Sequence, residues 1–189
     1  MTSLPNVGRP VPDSSIQCTY GPYLHATTRL SDGRPSLLLD IGSVGNLTGD
    51  QWLKDTSKLA IRYGIRPEQY KRERPFDVSG VGIGSQKCTH NCKIPLAIQR
   101  SDGTICKATF DTPAIPNAQL PALLGLDSLR KSRAIIDLNT LRLHMCGPGN
   151  YKLEDMLPPG TEHIQCVLAP SGHMVVPCGE YDALDTQQQ

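Results

Sequence analysis

Three short stretches of the sequence carry side chains whose types and spacing could do chemistry. In Leu37-Leu38-Leu39-Asp40-Ile41-Gly42-Ser43 a lone carboxylate ends an apolar run and meets a Gly-Ser step. A catalytic carboxylate needs rigid support behind it and an open front, and a strand end followed by a Gly turn supplies both. An Asp that only opens a turn has the same local sequence. In the second stretch, Gly80, Gly82 and Gly84 alternate with Val81 and Ile83. On an extended strand the three glycines share one bare face, which lets another backbone come close, as a flap over a bound peptide does. This spacing is not the dinucleotide fingerprint, and no helix start follows it. The third stretch, Cys88-Thr89-His90-Asn91-Cys92, sets three metal-capable side chains at alternate positions. A closed zinc site needs a fourth ligand. The reading adopted is a hairpin tip with two cysteines flanking a turn, and no metal or other cofactor is expected. Cys146 beside His144 and Cys178 beside His173 are sequence neighbours without the signature of a thiol nucleophile.

The elements around these stretches are mostly strands. Residues from Tyr23 to Gly42 read as two strands joined by a turn at Asp32-Gly33, with His25 half-buried on the first. Thr48 and Gln51 have capping-box spacing, and Trp52, Leu53, Leu59, Ala60 and Tyr63 recur at helical intervals. A helix over about 50–62, closed by Gly64, follows. Pro67 is positioned to open a second short helix through the charged run ending at Arg74. Beyond it, strands are expected from Phe76, after a turn near Cys88–Asn91, and from Ile105 after the turn Arg100–Thr104. Asp127 is placed to cap a short helix, and Asn139-Thr140 separates two further strands. Residues 1–20 read as a flexible arm, 21–145 as the main domain and 146–189 as an extension with a hairpin around Ser171-Gly172.

Composition sets the outer bounds. The 189 residues suffice for one domain with a real core, and 17 Gly with 16 Pro suit a turn-rich, mostly β chain. The net charge of +1 gives no field for nucleic acid or an anionic membrane, and Lys71, Arg72 and Arg74 read as a solvated face. No apolar run approaches the ~20 residues of a membrane helix. The first fifteen residues lack the charged and apolar regions of a secretory signal. With seven cysteines, an odd count, free thiols in a reducing, cytoplasmic setting are expected, and Asn46-Leu47-Thr48 is then not a glycan acceptor.

In this order, the Asp40 stretch, the Gly-rich stretch and Ala122-Leu123-Leu124-Gly125, which leads into Leu126–Arg133, resemble the retropepsins. These are the aspartic proteases of retroviruses and long-terminal-repeat retrotransposons, and the likeness covers about residues 20–145. The resemblance implies a closed β barrel with one or two short helices, here carrying a C-terminal hairpin extension. It also implies a homodimer in which two Asp40 carboxylates share a proton and activate water against a peptide or polyprotein substrate. Ile41, Gly42 and Ser43 would shape the active-site loop, and Gly80, Val81, Gly82, Ile83 and Gly84 the flap. The departure is Ile41, where the family has Thr or Ser bracing the opposite subunit. Losing that bond costs about 1–3 kcal/mol per site. Beside the protease therefore stands a second expectation, a non-catalytic module that keeps the dimer or the peptide groove.

Overall fold

The computed structural model describes residues 28, 30–78 and 85–179. Strand β1 (Leu37–Asp40) is followed by the two-residue β2 (Thr48–Gly49) and helix α1 (Asp50–Arg62). Three long strands come next: β3 (Glu68–Val78), β4 (Gln86–Gln99) and β5 (Ile105–Ile115). Then follow β6 (Ala122–Gly125), helix α2 (Leu126–Lys131), β7 (Ala134–Asp137) and β8 (Arg142–Met145). A 3-10 turn at Glu154–Met156 and the small strands β9 (Val167–Leu168) and β10 (Met174–Val175) complete the described chain. None of the described helices is long and apolar enough to cross a membrane.

The mostly β expectation holds, while no closed barrel is seen among the described residues. Among the described residues the strands fall into a four-stranded sheet, β2-β5-β4-β3, and three two-stranded sheets, β1-β6, β7-β8 and β9-β10. No sheet among them closes on itself. The strands of the small sheets run only two to four residues. The core forms where α1 lies on the large sheet, with Trp52, Leu53, Ile94, Phe110 and Ala122 packed together. Trp52 meets Phe110 edge-on at 6.0 Å, and its indole N–H donates to the Ser36 carbonyl at 3.1 Å, so the helix is tied directly to the strand that carries Asp40.

Several local expectations are met. The turn at Asp32-Gly33 forms, with Gly33 at φ 80°, and the Ser36 hydroxyl donates back to the Thr28 carbonyl at 2.8 Å. Helix α1 has the expected bounds and stops before Gly64, whose φ of 75° suits a residue without Cβ. The turns at Arg100–Thr104, Asn139-Thr140 and Ser171-Gly172 also form.

Four expectations fail, each through tertiary contact. The run after Pro67 is a strand, not a helix, because β3 finds a partner in β4 from Glu68↔Lys93 to Val78↔Gln86. Its register slips between Lys71 and Phe76, where Pro75 has no N–H to give to the ladder. No turn occurs at Cys88–Asn91, because this stretch is the middle of β4, with Asn91 opposite both Tyr70 and Pro113. Thr48 does not cap α1. Gly49 holds that position without a side-chain bond, and the Thr48 hydroxyl is instead buried against that of Thr112 at 2.9 Å. Likewise Gly125, not Asp127, precedes α2, and Asp127 sits in its first turn.

Candidate active-site loop

Asp40 is the last residue of β1, half-buried and paired in register with Gly125 of the parallel strand β6. The chain then turns tightly. The Gly42 N–H donates to Asp40 Oδ1 at 2.9 Å, and the Ser43 N–H donates to the Asp40 carbonyl at 3.2 Å. The Ser43 hydroxyl donates to the Gly45 carbonyl at 2.7 Å, closing the loop on itself. Gly42 is well suited to its place, since a Cβ there would stand 3.2 Å from Asp40 Oδ1. Ile41 projects outward and is 50% exposed.

The loop leaves along one edge of β6 and returns along the other. On the far edge, the Leu123 N–H donates to the Leu47 carbonyl at 2.8 Å, and the Leu47 N–H donates back at 3.3 Å. Strand β6 is therefore held between the two arms of the Asp40 loop. This passage leaves no room for a side chain at Gly125, where a Cβ would fall 2.2 Å from the Gly45 carbonyl oxygen. Loop carbonyls also receive the first free N–H groups of α2: Leu126 donates to Ser43 at 2.8 Å and Asp127 to Val44 at 2.9 Å. The Ala122–Gly125 stretch, which by itself reads only as core, thus positions the carboxylate.

Asn46 is a site residue that the sequence did not reveal. Its Oδ1 accepts from the Gly125 N–H and from the Ser128 hydroxyl, both at 3.0 Å, and its Nδ2 donates to the Asp111 carbonyl at 2.9 Å. In sequence it stands out only within an Asn-Leu-Thr sequon that is set aside as no glycan acceptor, and its partners lie 65 to 82 residues away, so no local signal points to them.

The expected flap residues Gly80, Val81, Gly82, Ile83 and Gly84 lie outside the described residues. The structure gives the stem from which that segment departs, with Val78 of β3 opposite Gln86 of β4. Lower on the same hairpin, Tyr70 donates to both Asp111 carboxylate oxygens at 2.7 and 2.8 Å, and Asn91 Nδ2 donates to the Tyr70 hydroxyl at 3.0 Å. Arg72 reaches Asn91 Oδ1 and stacks 4.7 Å above the Phe76 ring. Burial, reinforced by the Asp111 carboxylate that accepts its proton, pushes the Tyr70 hydroxyl above the ordinary phenol range.

The cysteine stretch is part of the packing. Cys88 is fully buried and its thiol donates to the Ala114 carbonyl at 3.2 Å. Cys92 packs against the main core. Burial pushes both thiols up, away from the reactive thiolate. Among the described residues no three His, Cys, Asp or Glu side chains are grouped to hold a metal ion.

An apolar hollow of about 670 Å³ lies beside the loop, between β1, α1 and the ends of β4 and β8. Leu37, Leu39, Trp52, Ile98 and Met145 line it, and Asp40 does not. Thr56, also on its wall, is buried with no hydrogen-bond partner for its hydroxyl among the described residues.

The C-terminal hairpin comes back to the same loop. A methyl group added at Gly172 would stand 3.2 Å from a Val44 γ-carbon. No family model, curated protein or solved structure matches this chain.

Proposed function

We propose that the chain is an aspartic endopeptidase of the retropepsin type, processing a polyprotein of the retrotransposon kind and working as a homodimer. One observation carries the reading. Asp40 ends a strand in a tight Gly42 turn, and the loop behind it straddles β6 and receives the start of α2. This is a carboxylate with a rigid back and an open front, the condition that acid–base chemistry on a bound peptide imposes. One chain supplies one such carboxylate, and beside Asp40-Ile41-Gly42 the sequence holds no Asp-Thr/Ser-Gly stretch. The second carboxylate comes from a second copy.

Two carboxylates that meet across a dimer axis cannot both ionise, so the pair shares one proton. The ionised member takes a proton from a water molecule held between them as the water oxygen attacks the peptide carbonyl carbon. The protonated member gives its proton to the carbonyl oxygen. Collapse of the gem-diol breaks the C–N bond: one of its hydroxyls returns its proton to the carboxylate that had protonated the carbonyl oxygen, and the amine leaves with the proton first taken from water, which restores the shared-proton pair. No cofactor enters this balance.

A second reading is favoured by Ile41. With a hydrocarbon where a cross-subunit hydroxyl is expected, the same fold serves as a non-catalytic dimerisation or peptide-binding module. Cleavage of a random peptide library between about pH 4 and 7, wild type against Asp40→Asn, separates the two. The protease reading expects cleavage that falls at least about a hundredfold in the variant. A folded, dimeric wild type that cleaves nothing, with no rescue in Ile41→Thr, favours the binding module.

A further inference from the structure

We propose that Asn46 is the positioning residue of the Asp40 loop, supplying within one chain a brace that Ile41 cannot supply between two. The proposal deepens the protease reading and rests on it for its catalytic consequence, although the brace itself can be measured without activity.

The side chain of Asn46 joins three elements at once. Its oxygen takes the Gly125 N–H at the end of β6 and the Ser128 hydroxyl on α2, and its amide N–H reaches the Asp111 carbonyl of β5. An amide carries its two-donor acceptor and its donor on separate atoms of a short side chain, so it spans partners on different elements that a single hydroxyl oxygen could not reach together. A carboxylate keeps the first pair and loses the last, and a methyl group loses all three. These bonds lie at the point where the loop rejoins the body, one residue before the Leu47–Leu123 bridge. The other arm is fixed by the pairing of Asp40 with Gly125. Gly125 is therefore clasped twice, by β1 on one side and by Asn46 on the other. The loop that carries Asp40 has no freedom to hinge at either end. Ile41, exposed and outside this network, takes no part in it. A loop held this way keeps Asp40 in place whether or not residue 41 offers a hydroxyl.

The test compares Asn46→Ala, Asn46→Asp and Ser128→Ala with wild type, by amide hydrogen exchange and by peptide-cleavage kinetics. In Asn46→Ala, exchange at Gly125, Leu126 and Asp127 should accelerate about tenfold or more, with Ile94 and Phe110 in the large sheet unchanged. The value of kcat should fall about tenfold or more while KM stays within about twofold, because the carboxylates are misplaced and the substrate groove is not. Asn46→Asp keeps the oxygen and should restore protection at Gly125 and part of kcat. Ser128→Ala removes one partner and should give a smaller acceleration at the same amides, so it carries the test if Asn46→Ala does not fold. Unchanged exchange at Gly125, or acceleration spread evenly over β4 and β5, overturns the proposal. So does a fall in kcat/KM that lies wholly in KM. A wild type without Asp40-dependent cleavage, whose loop amides still respond as stated, retires the protease reading and leaves Asn46 as the brace of the loop.

Discussion

The Asp40 loop and the C-terminal hairpin start from similar sequence, short apolar stretches broken by Gly and Ser, yet the fold treats them in opposite ways. Residues 40–47 are tied to several other elements, with Ile41 and Gly42 left exposed. Backbone bonds run to β6 and α2, Asn46 adds three side-chain bonds, and Thr48, directly after, is buried against Thr112. The hairpin of β9 and β10 holds chiefly to itself, through Ala169 N–H to the His173 carbonyl and Gly172 N–H to the Ala169 carbonyl. Val167, Leu168, Met174 and Val175 all remain exposed. The segment after β8 that leads toward it is anchored by Arg133, which reaches the Gly147 and Gly149 carbonyls and stacks 4.5 Å above the Tyr151 ring. A turn motif therefore says that the chain reverses. Only the partners around it decide whether the reversal is rigid enough to hold a reacting group.

The comparison breaks most readily at Gly125. A Cβ there collides with the Gly45 carbonyl, so Gly125→Ala should destabilise the domain by about 2–3 kcal/mol in urea titration. A midpoint like that of wild type would mean that the loop yields and is not fixed. Next comes the buried hydroxyl pair. Thr48→Val leaves the buried Thr112 hydroxyl with only its bond to the Pro113 carbonyl at 3.2 Å, and should cost about 1–2 kcal/mol in the same titration. The smallest effect is expected on the other side of the comparison. Removing residues 164–189 should shift stability by no more than about 0.5 kcal/mol, since the hairpin's apolar side chains are exposed in the folded chain. A loss comparable with that of Gly125→Ala would show that the Val44–Gly172 contact supports the loop, and would make the hairpin part of the site.

Much of the frame was legible from local chemistry. The apolar run before Asp40 announced β1, and the helical spacing from Trp52 to Tyr63 with Gly64 behind it announced α1. The Asp-Gly turns announced themselves through residues that need left-handed backbone or accept hydrogen bonds from the next two amides. The errors cluster where a segment's own preference was outvoted. The charged run of β3 has good helix formers, but a long antiparallel partner satisfies more of its backbone than an isolated helix of that length would. Thr48 and Asp127 were expected at helix starts by spacing, and both starts went to glycines because the backbone there is crowded. A Cβ at Gly49 would meet the Ala118 carbonyl at 2.2 Å.

The sequence by itself determined that Asp40 ends an apolar strand in a glycine turn, because strand, turn and carboxylate are all encoded within seven neighbouring residues. The tertiary structure decided what holds that turn still. Gly125, Ser128 and Asp111 reach Asn46 only after β5, β6 and α2 have packed, and hydrogen bonds spanning 65 to 82 residues leave no periodicity in the chain for a reader to find.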